Sequence, residues 1–502
     1  MGSLQEKIKN NWMIIAVIAI ALAIRLYFFW ITKGQTEWYD SGEYLSMMKH
    51  FVLGTPTTGF SISRELFTPA FWAIFYYFWR SEIPIRLIQV VLSTLTVATT
   101  FWLGKLIYDK WTGAIAALFM SFFWLHLFFS CRLLTYLYPP LFYTLALVLF
   151  YKGYCVENPK DRYLFLSFLT IIIGLGIYSS ITFAAFTILL YLLFTEKFAF
   201  LKNKRLWKYG ALSLPFLLVS FIPSYIVQGS LIPRLTQVAA ATQQGTGLGW
   251  HGLLTYITTV PTLYTAIWAI AAIFSMLLVI RIFFYSDLLL KGTAPINVKK
   301  DLFVALGFAI QLIFYTYFAV VIGGYYDAWV LAVFPCLFIL MTRIFIEIKD
   351  YISKKNIDYG KYFAILVLLI FAFSCYQQFQ FADMAIKNKV SSYYNLHPAG
   401  EWLKANTNAN ETILASSVPQ LTYYSERRVI SFRDFENETQ QQALQRIFQE
   451  HPKYMVLTVW ERSPDWAYAM PINLNFTISQ MYFLNPQQPD VIIYEIDYKG
   501  GA

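Results

Sequence analysis

Charge is scarce in this chain. Asp, Glu, Lys and Arg make up 14% of its 502 residues, against 58% hydrophobic and 19% aromatic residues, and that balance is not one a soluble globular protein carries. Cysteine is scarce too. Cys131, Cys155, Cys336 and Cys375 lie in or beside apolar runs, with no CxxC pair and no His at ligand spacing, so they read as small buried residues rather than a disulfide framework or metal site. No nucleophile elbow, Walker loop, HExxH or dinucleotide fingerprint occurs in a context that would support it. The apolar runs hold few ionisable groups and show no inverted repeat, which weighs against a proton-coupled transporter. The net charge of +10 does not point to nucleic acid, because its Lys and Arg sit in short clusters between apolar runs, where they orient a chain in a bilayer.

What is present is a series of apolar runs, about eleven by hydropathy. The first, near Trp12 to Ile31, has the length a bilayer requires and follows Lys7 and Lys9, which places the N-terminus in the cytoplasm; it reads as an uncleaved helix. Later runs lie near 84–106, 111–129, 137–154, 163–179, 181–195, 209–227, 261–284, 302–322, 329–345 and 362–379. With these spans, clusters such as Lys202, Lys204, Arg205 and Lys208, or Lys349, Lys354, Lys355 and Lys361, all fall on the cytoplasmic side. The opposite side holds only Lys33, Lys49, Arg64, Arg80, Arg132 and Arg234 before the tail. An odd number of spans follows, with the C-terminus outside.

Three segments depart from this pattern. The first external loop, 32–83, contains an aromatic run at 66–79 that is too short to span and reads as an interfacial helix. The external loop 228–260 carries Gly245, Gly247, Gly249 and Gly252 beside Trp250 and His251, as a lid or a plain connector would. From Ala382 the pattern becomes that of a soluble α/β domain, with strands expected at 412–415, 428–432, 454–459 and 491–496 and helices at 398–404 and 439–449. The expected division is thus a membrane domain, 1–381, and a soluble extracytoplasmic domain, 382–502. The tail also holds Asn-x-Thr sequons at Asn410, Asn437 and Asn475.

The stretch Glu37 to Tyr44, EWYDSGEY, is the candidate for chemistry. Asp40 leaves the membrane just past the first span, among Trp38 and Tyr39, and its position reads either as a partly shielded, usable base or as a solvated acid in a polar loop. Glu43 lies at i+3 and shares its face if the segment is helical, where it would orient Asp40 or bind a hydroxyl. Ser41 and Gly42 separate the two acids, which argues against a metal pair, and no metal or other cofactor is expected. Arg64, Glu65 and Arg132 sit at the outer headgroup level, where cations either snorkel or grip a phosphate. Arg234 and His251 in the Gly-rich loop, and Asp327 at the start of a late span, complete the candidate set; the helix dipole alone also accounts for Asp327.

Together these residues resemble the GT-C glycosyltransferases, in the branch of the protein O-mannosyltransferases and the lipid A aminoarabinose transferase. Tyr39-Asp40-Ser41-Gly42-Glu43-Tyr44 is similar to that family's first-loop motif, whose leading Asp is taken as the general base. Arg64 to Trp72, RELFTPAFW, is similar to its segment before the interfacial helix, with Pro69 and Trp72 matching. Thr68 stands where the family's phosphate-binding Lys is expected, so the resemblance passes that role to Arg64 or Arg132. Tyr138 and Asp327-Ala328 also depart from the family pattern. The resemblance implies a polytopic membrane protein of the GT-C type in the cell membrane. It would use a polyprenyl-phosphate sugar donor and a protein, lipid or glycan acceptor, with inversion at the sugar. The other readings are a transporter or flippase for lipid-linked glycans, and a non-catalytic protein that binds them.

Overall fold

The computed structural model describes residues 4–61, 64–231, 266–318, 327–435 and 438–498. Arg234, His251, Asn437 and most of the Gly-rich loop lie outside the described residues. The chain opens with α1 (Leu4–Thr32), α2 (Tyr39–Leu53), α3 (Phe67–Trp79), α4 (Ile83–Ile107), α5 (Lys110–Phe122) and α6 (Trp124–Ser130). It divides into two compact units. A helical unit comprises Met1–Trp30, Leu87–Cys131 and Thr135–Ile386; the second unit comprises Ile31–Arg86, Arg132–Leu134 and Lys387–Ala502.

In the helical unit every expected apolar run forms helix where it is described. Among the described residues, seven helices are long and apolar enough to cross a membrane, or eight if α5 and α6 count as one broken span. The hydropathy count of about eleven includes shorter helices such as Tyr138–Phe150 and Asp161–Ile177. α4 and α5 cross backbone to backbone: a Cβ on Gly104 would come within 2.8 Å of the Cα of Gly113, the close approach that small residues permit between membrane helices.

The chain bends by 58° between α5 and α6, at Phe123. Such a break frees backbone groups that lipid cannot satisfy. Here Arg25, 1% exposed, donates to the carbonyls of Met120 and Ser121, each at 3.4 Å, while the Trp124 amide donates to Gln378 Oε1 at 3.1 Å. Arg25 is held in turn by Ser93 Oγ and His126 Nδ1. A second polar cluster ties four helices: Tyr108 and Arg281 both donate to the buried Asp301, and Arg281 and Arg343 both pair with Glu347.

The second unit is built on a sheet ordered β2-β1-β3-β5-β4, with β1 (Thr412–Ala415), β2 (Arg428–Ser431), β3 (Tyr454–Thr458), β4 (Thr477–Tyr482) and β5 (Val491–Glu495). β1 runs parallel to β2 and β3, whereas β5 is antiparallel to both its neighbours. Alternating side chains feed two cores, as a two-residue period requires. Ile413, Val429, Val456 and Ile493 meet Leu396, Leu403 and Leu421 on one face. Leu414, Ile430 and Met455 meet Ala443, Ile447 and Met470 on the other.

Hydropathy groups the first loop with the membrane helices, but it packs with the tail. Tyr44, Leu45 and Met48 of α2 and Trp72 and Tyr76 of α3 form one buried cluster with Tyr423 and Tyr424 of the helix Val418–Ser425. α3 is buried on that side and exposes Tyr77, Phe78 and Trp79 on the other. The helix Ile357–Lys387 continues past residue 382, so the tail unit starts after Ile386.

Candidate active site

EWYDSGEY does form a helix start. Trp38 caps α2 in extended conformation, and Asp40 lies in the first turn, where the helix dipole favours an acid. Asp40 and Glu43 share one face, and Arg64 bridges them. Its Nη2 lies 2.7 Å from Asp40 Oδ1 and 3.1 Å from Glu43 Oε1, while its Nε donates to Glu43 Oε2 at 3.1 Å. The Ser61 amide adds a bond of 2.9 Å to the same Oε2.

Solvent access separates the two acids. The side chain of Glu43 is 4% exposed and that of Asp40 is 37% exposed. Burial pushes the Glu43 carboxyl above its ordinary range, with Arg64 and the Ser61 amide pulling against it. Asp40 shares one oxygen with Arg64, and among the described residues its Oδ2 accepts no hydrogen bond. The arrangement is a carboxylate fixed on one oxygen and open on the other.

The position of α2 depends on Gly42. A Cβ there would lie 2.9 Å from both the Gln420 nitrogen and the Pro419 carbonyl carbon, so α2 and the helix Val418–Ser425 touch through their backbones. Gly42→Ala is expected to cost about 1–3 kcal/mol, the usual price of overpacking. It would lower the melting temperature of the detergent-purified chain and reduce any activity that depends on Asp40.

The tail brings further groups to this place. Tyr393 donates to Glu461 Oε1 at 3.1 Å and packs its ring 5.2 Å from that of Trp460. Arg433 lies 5.9 Å from the centroid of Tyr39. Burial raises the carboxyl of Glu461, opposed by the Tyr393 hydrogen bond and the charge of Arg433, and Asp40 is near enough to add to the rise. Tyr39 is likewise raised by burial and next by Glu43. Sequence reasoning did not include Glu461, Tyr393, Trp460 or Arg433. The sequence held only part of the signal, that Trp460 and Glu461 directly follow the expected strand 454–459; the sheet order then puts the carboxyl end of β3 beside β1, where strand order reverses and open α/β sheets place their ligands.

The other expected residues divide. Arg132 is buried with its guanidinium 4.2 Å from the centroid of Trp38, two residues from Asp40. Arg64 is committed to two carboxylates, so it differs from the open phosphate ligand that one of its expected roles required. Glu65 is buried ahead of α3, and Thr68 is buried in that helix's first turn. Asp327 opens a 3-10 turn, Asp327–Val333, of the helical unit. Among the described residues no group of His, Cys, Asp or Glu is placed to hold a metal ion.

The model of the dolichyl-phosphate-mannose-protein mannosyltransferase family matches residues 66–225. No curated protein matches the chain by sequence. Solved structures do match. ArnT from Cupriavidus metallidurans bound to undecaprenyl phosphate aligns with a TM-score of 0.63 at 12% identity, covering 96% of this chain and 98% of that one. The fold is that of the GT-C glycosyltransferases. The apo oligosaccharyltransferase of Archaeoglobus fulgidus has the same GT-C fold, with a TM-score of 0.62 at 13% identity over 98% of this chain and 75% of that one. The arabinofuranosyltransferase AftD from Mycobacteria aligns at 0.55 and 11% identity, over 95% of this chain and 40% of that one. The expected GT-C architecture, with a small C-terminal sheet domain, is therefore borne out as a fold.

Proposed function

We propose that this GT-C chain is an inverting glycosyltransferase. It moves a sugar from a polyprenyl-phosphate donor to an acceptor hydroxyl on the extracytoplasmic side of the cell membrane, with the N-terminus cytoplasmic and the C-terminal unit extracytoplasmic. The observation that carries this reading is Asp40, a carboxylate held by Arg64 on one oxygen and open on the other. Undecaprenyl phosphate bound to ArnT and dolichol phosphate bound to the archaeal oligosaccharyltransferase AglB support the donor class. The acceptor peptide tethered to the archaeal enzyme makes a protein one candidate acceptor beside a lipid or glycan.

In this reading the acceptor oxygen attacks the anomeric carbon as its proton passes to Asp40 Oδ2. The bond from that carbon to the phosphate oxygen breaks, and polyprenyl phosphate leaves with the electron pair. One displacement inverts the anomeric centre. Glu43 and Arg64 hold the base in place. Arg132, stacked on Trp38, is the cation assigned to the phosphate, since Arg64 already serves two acids. Tyr39, Tyr393 and Glu461 are assigned to the acceptor side, where an aromatic face and a carboxylate suit a polyhydroxylated or peptide group.

The test is incubation of the purified protein with polyprenyl-phosphate sugars labelled in the sugar. Release of polyprenyl phosphate, with an inverted linkage in the product, is the expected result. No release from any donor of this class, by folded protein, would overturn the proposal.

A further inference from the structure

The second unit holds a polar cavity of about 380 Å³ lined in part by Lys33, Lys49, Tyr76, Arg80, Glu401 and Lys404. None of the residues assigned to sugar transfer lines it. Lys33 directly follows α1 and the neighbouring Ile83 begins α4, both candidate membrane spans. Two of the lining residues thus adjoin candidate spans in sequence, a position that headgroup-level residues take. Tyr77, Phe78 and Trp79, exposed on α3, stand in sequence between the lining residues Tyr76 and Arg80.

Its charges are unequally committed. Lys49 and Lys404 both bind Glu426 Oε1 at 2.9 Å, and Glu82 receives the Tyr423 hydroxyl at 2.6 Å. Arg80 and Glu401 make no ion pair among the described residues; the Arg80 guanidinium lies only against the rings of Tyr76 and Tyr77, at 5.9 and 5.7 Å. Both are close enough to Tyr76 to act on its hydroxyl. Arg80 also closes α3 in the left-handed conformation, φ 50°, a place glycine normally takes because a side chain costs about 1 kcal/mol there. Arg80, at the left-handed end of α3, and Glu401 both line the cavity, and a guanidinium fork and a carboxylate are the groups that bind a phosphate and a cation.

We propose that this cavity binds the headgroup of an aminophospholipid, with its phosphate on Arg80, its ammonium at Glu401 and its acyl chains along the exposed apolar side of α3. The inference stands apart from the proposed transferase activity, because its readout is bound lipid rather than turnover. The full chain in detergent is incubated with dioleoylphosphatidylethanolamine, dioleoylphosphatidylglycerol or soluble phosphoethanolamine, and bound ligand is measured by native mass spectrometry. Phosphatidylethanolamine should be retained over phosphatidylglycerol. Arg80→Ala should weaken both lipids about tenfold, the loss of one charge-assisted contact. Glu401→Gln, at an exposed position, should reduce phosphatidylethanolamine to the level of phosphatidylglycerol and leave the latter unchanged. Equal retention of the two lipids by the wild-type chain would overturn the proposal, as would unaltered phosphatidylethanolamine binding in folded Glu401→Gln. Phosphoethanolamine binding as tightly as the lipid would also overturn it, by making the site one for a soluble ligand.

Discussion

Asp40→Asn should reduce sugar transfer by about a thousandfold, or ~4 kcal/mol of barrier, the range a positioned general base supplies. The substitution keeps the side chain's size and one acceptor oxygen, so Arg64 retains a partner. Donor retention, measured with the labelled polyprenyl-phosphate sugar, should therefore change little while turnover falls. That pattern separates an enzyme from a carrier: in a flippase the same variant would leave lipid-linked sugar movement intact. Unchanged turnover in Asp40→Asn would remove Asp40 from the chemistry.

Arg64→Met should destabilise the chain by about 3–5 kcal/mol, the cost of leaving one member of a buried pair without its partner. The stranded group is Glu43, which is nearly inaccessible and already raised by burial. An acid whose carboxyl is raised on folding contributes a penalty that grows as pH climbs from its unfolded value through its folded one. Without Arg64 that rise is larger, so the deficit should be greatest at neutral and alkaline pH and shrink on acidification. Melting curves of the detergent-purified variant across pH check the sign. The double variant Arg64→Met, Glu43→Leu should recover most of the loss, because no buried charge remains. A deficit independent of pH, or no recovery in the double variant, would show that Arg64 acts through packing alone.

These expectations rest on parts of the site that differed in how readily they could be read. The shared face of Asp40 and Glu43 was legible because i, i+3 spacing is a local property of a helix. Most strands of the tail were legible for the same reason, and β1 falls at 412–415 as expected. β4 was not: its residues are mostly exposed or half-buried, so no alternation marks them. The helix Val418–Ser425 was missed for the opposite cause. All its residues are buried, Gln420 and Thr422 included, so it has no polar face to give a period. That helix is the one packed on Gly42.

By itself the sequence determined the apolar helical runs, the clustering of Lys and Arg between them, the two-layer chemistry of the tail and the candidacy of EWYDSGEY. Each follows from hydropathy, periodicity or spacing over neighbouring residues. Only the tertiary structure decided that Arg64 is bound between the two acids rather than left open, that Glu43 is the buried one and Asp40 the accessible one, and that Glu461 and Tyr393 join them from far along the chain. The physical reason is that a charge's partner, exposure and proton affinity depend on distance and dielectric, and in EWYDSGEY those are set by residues that sequence proximity does not supply.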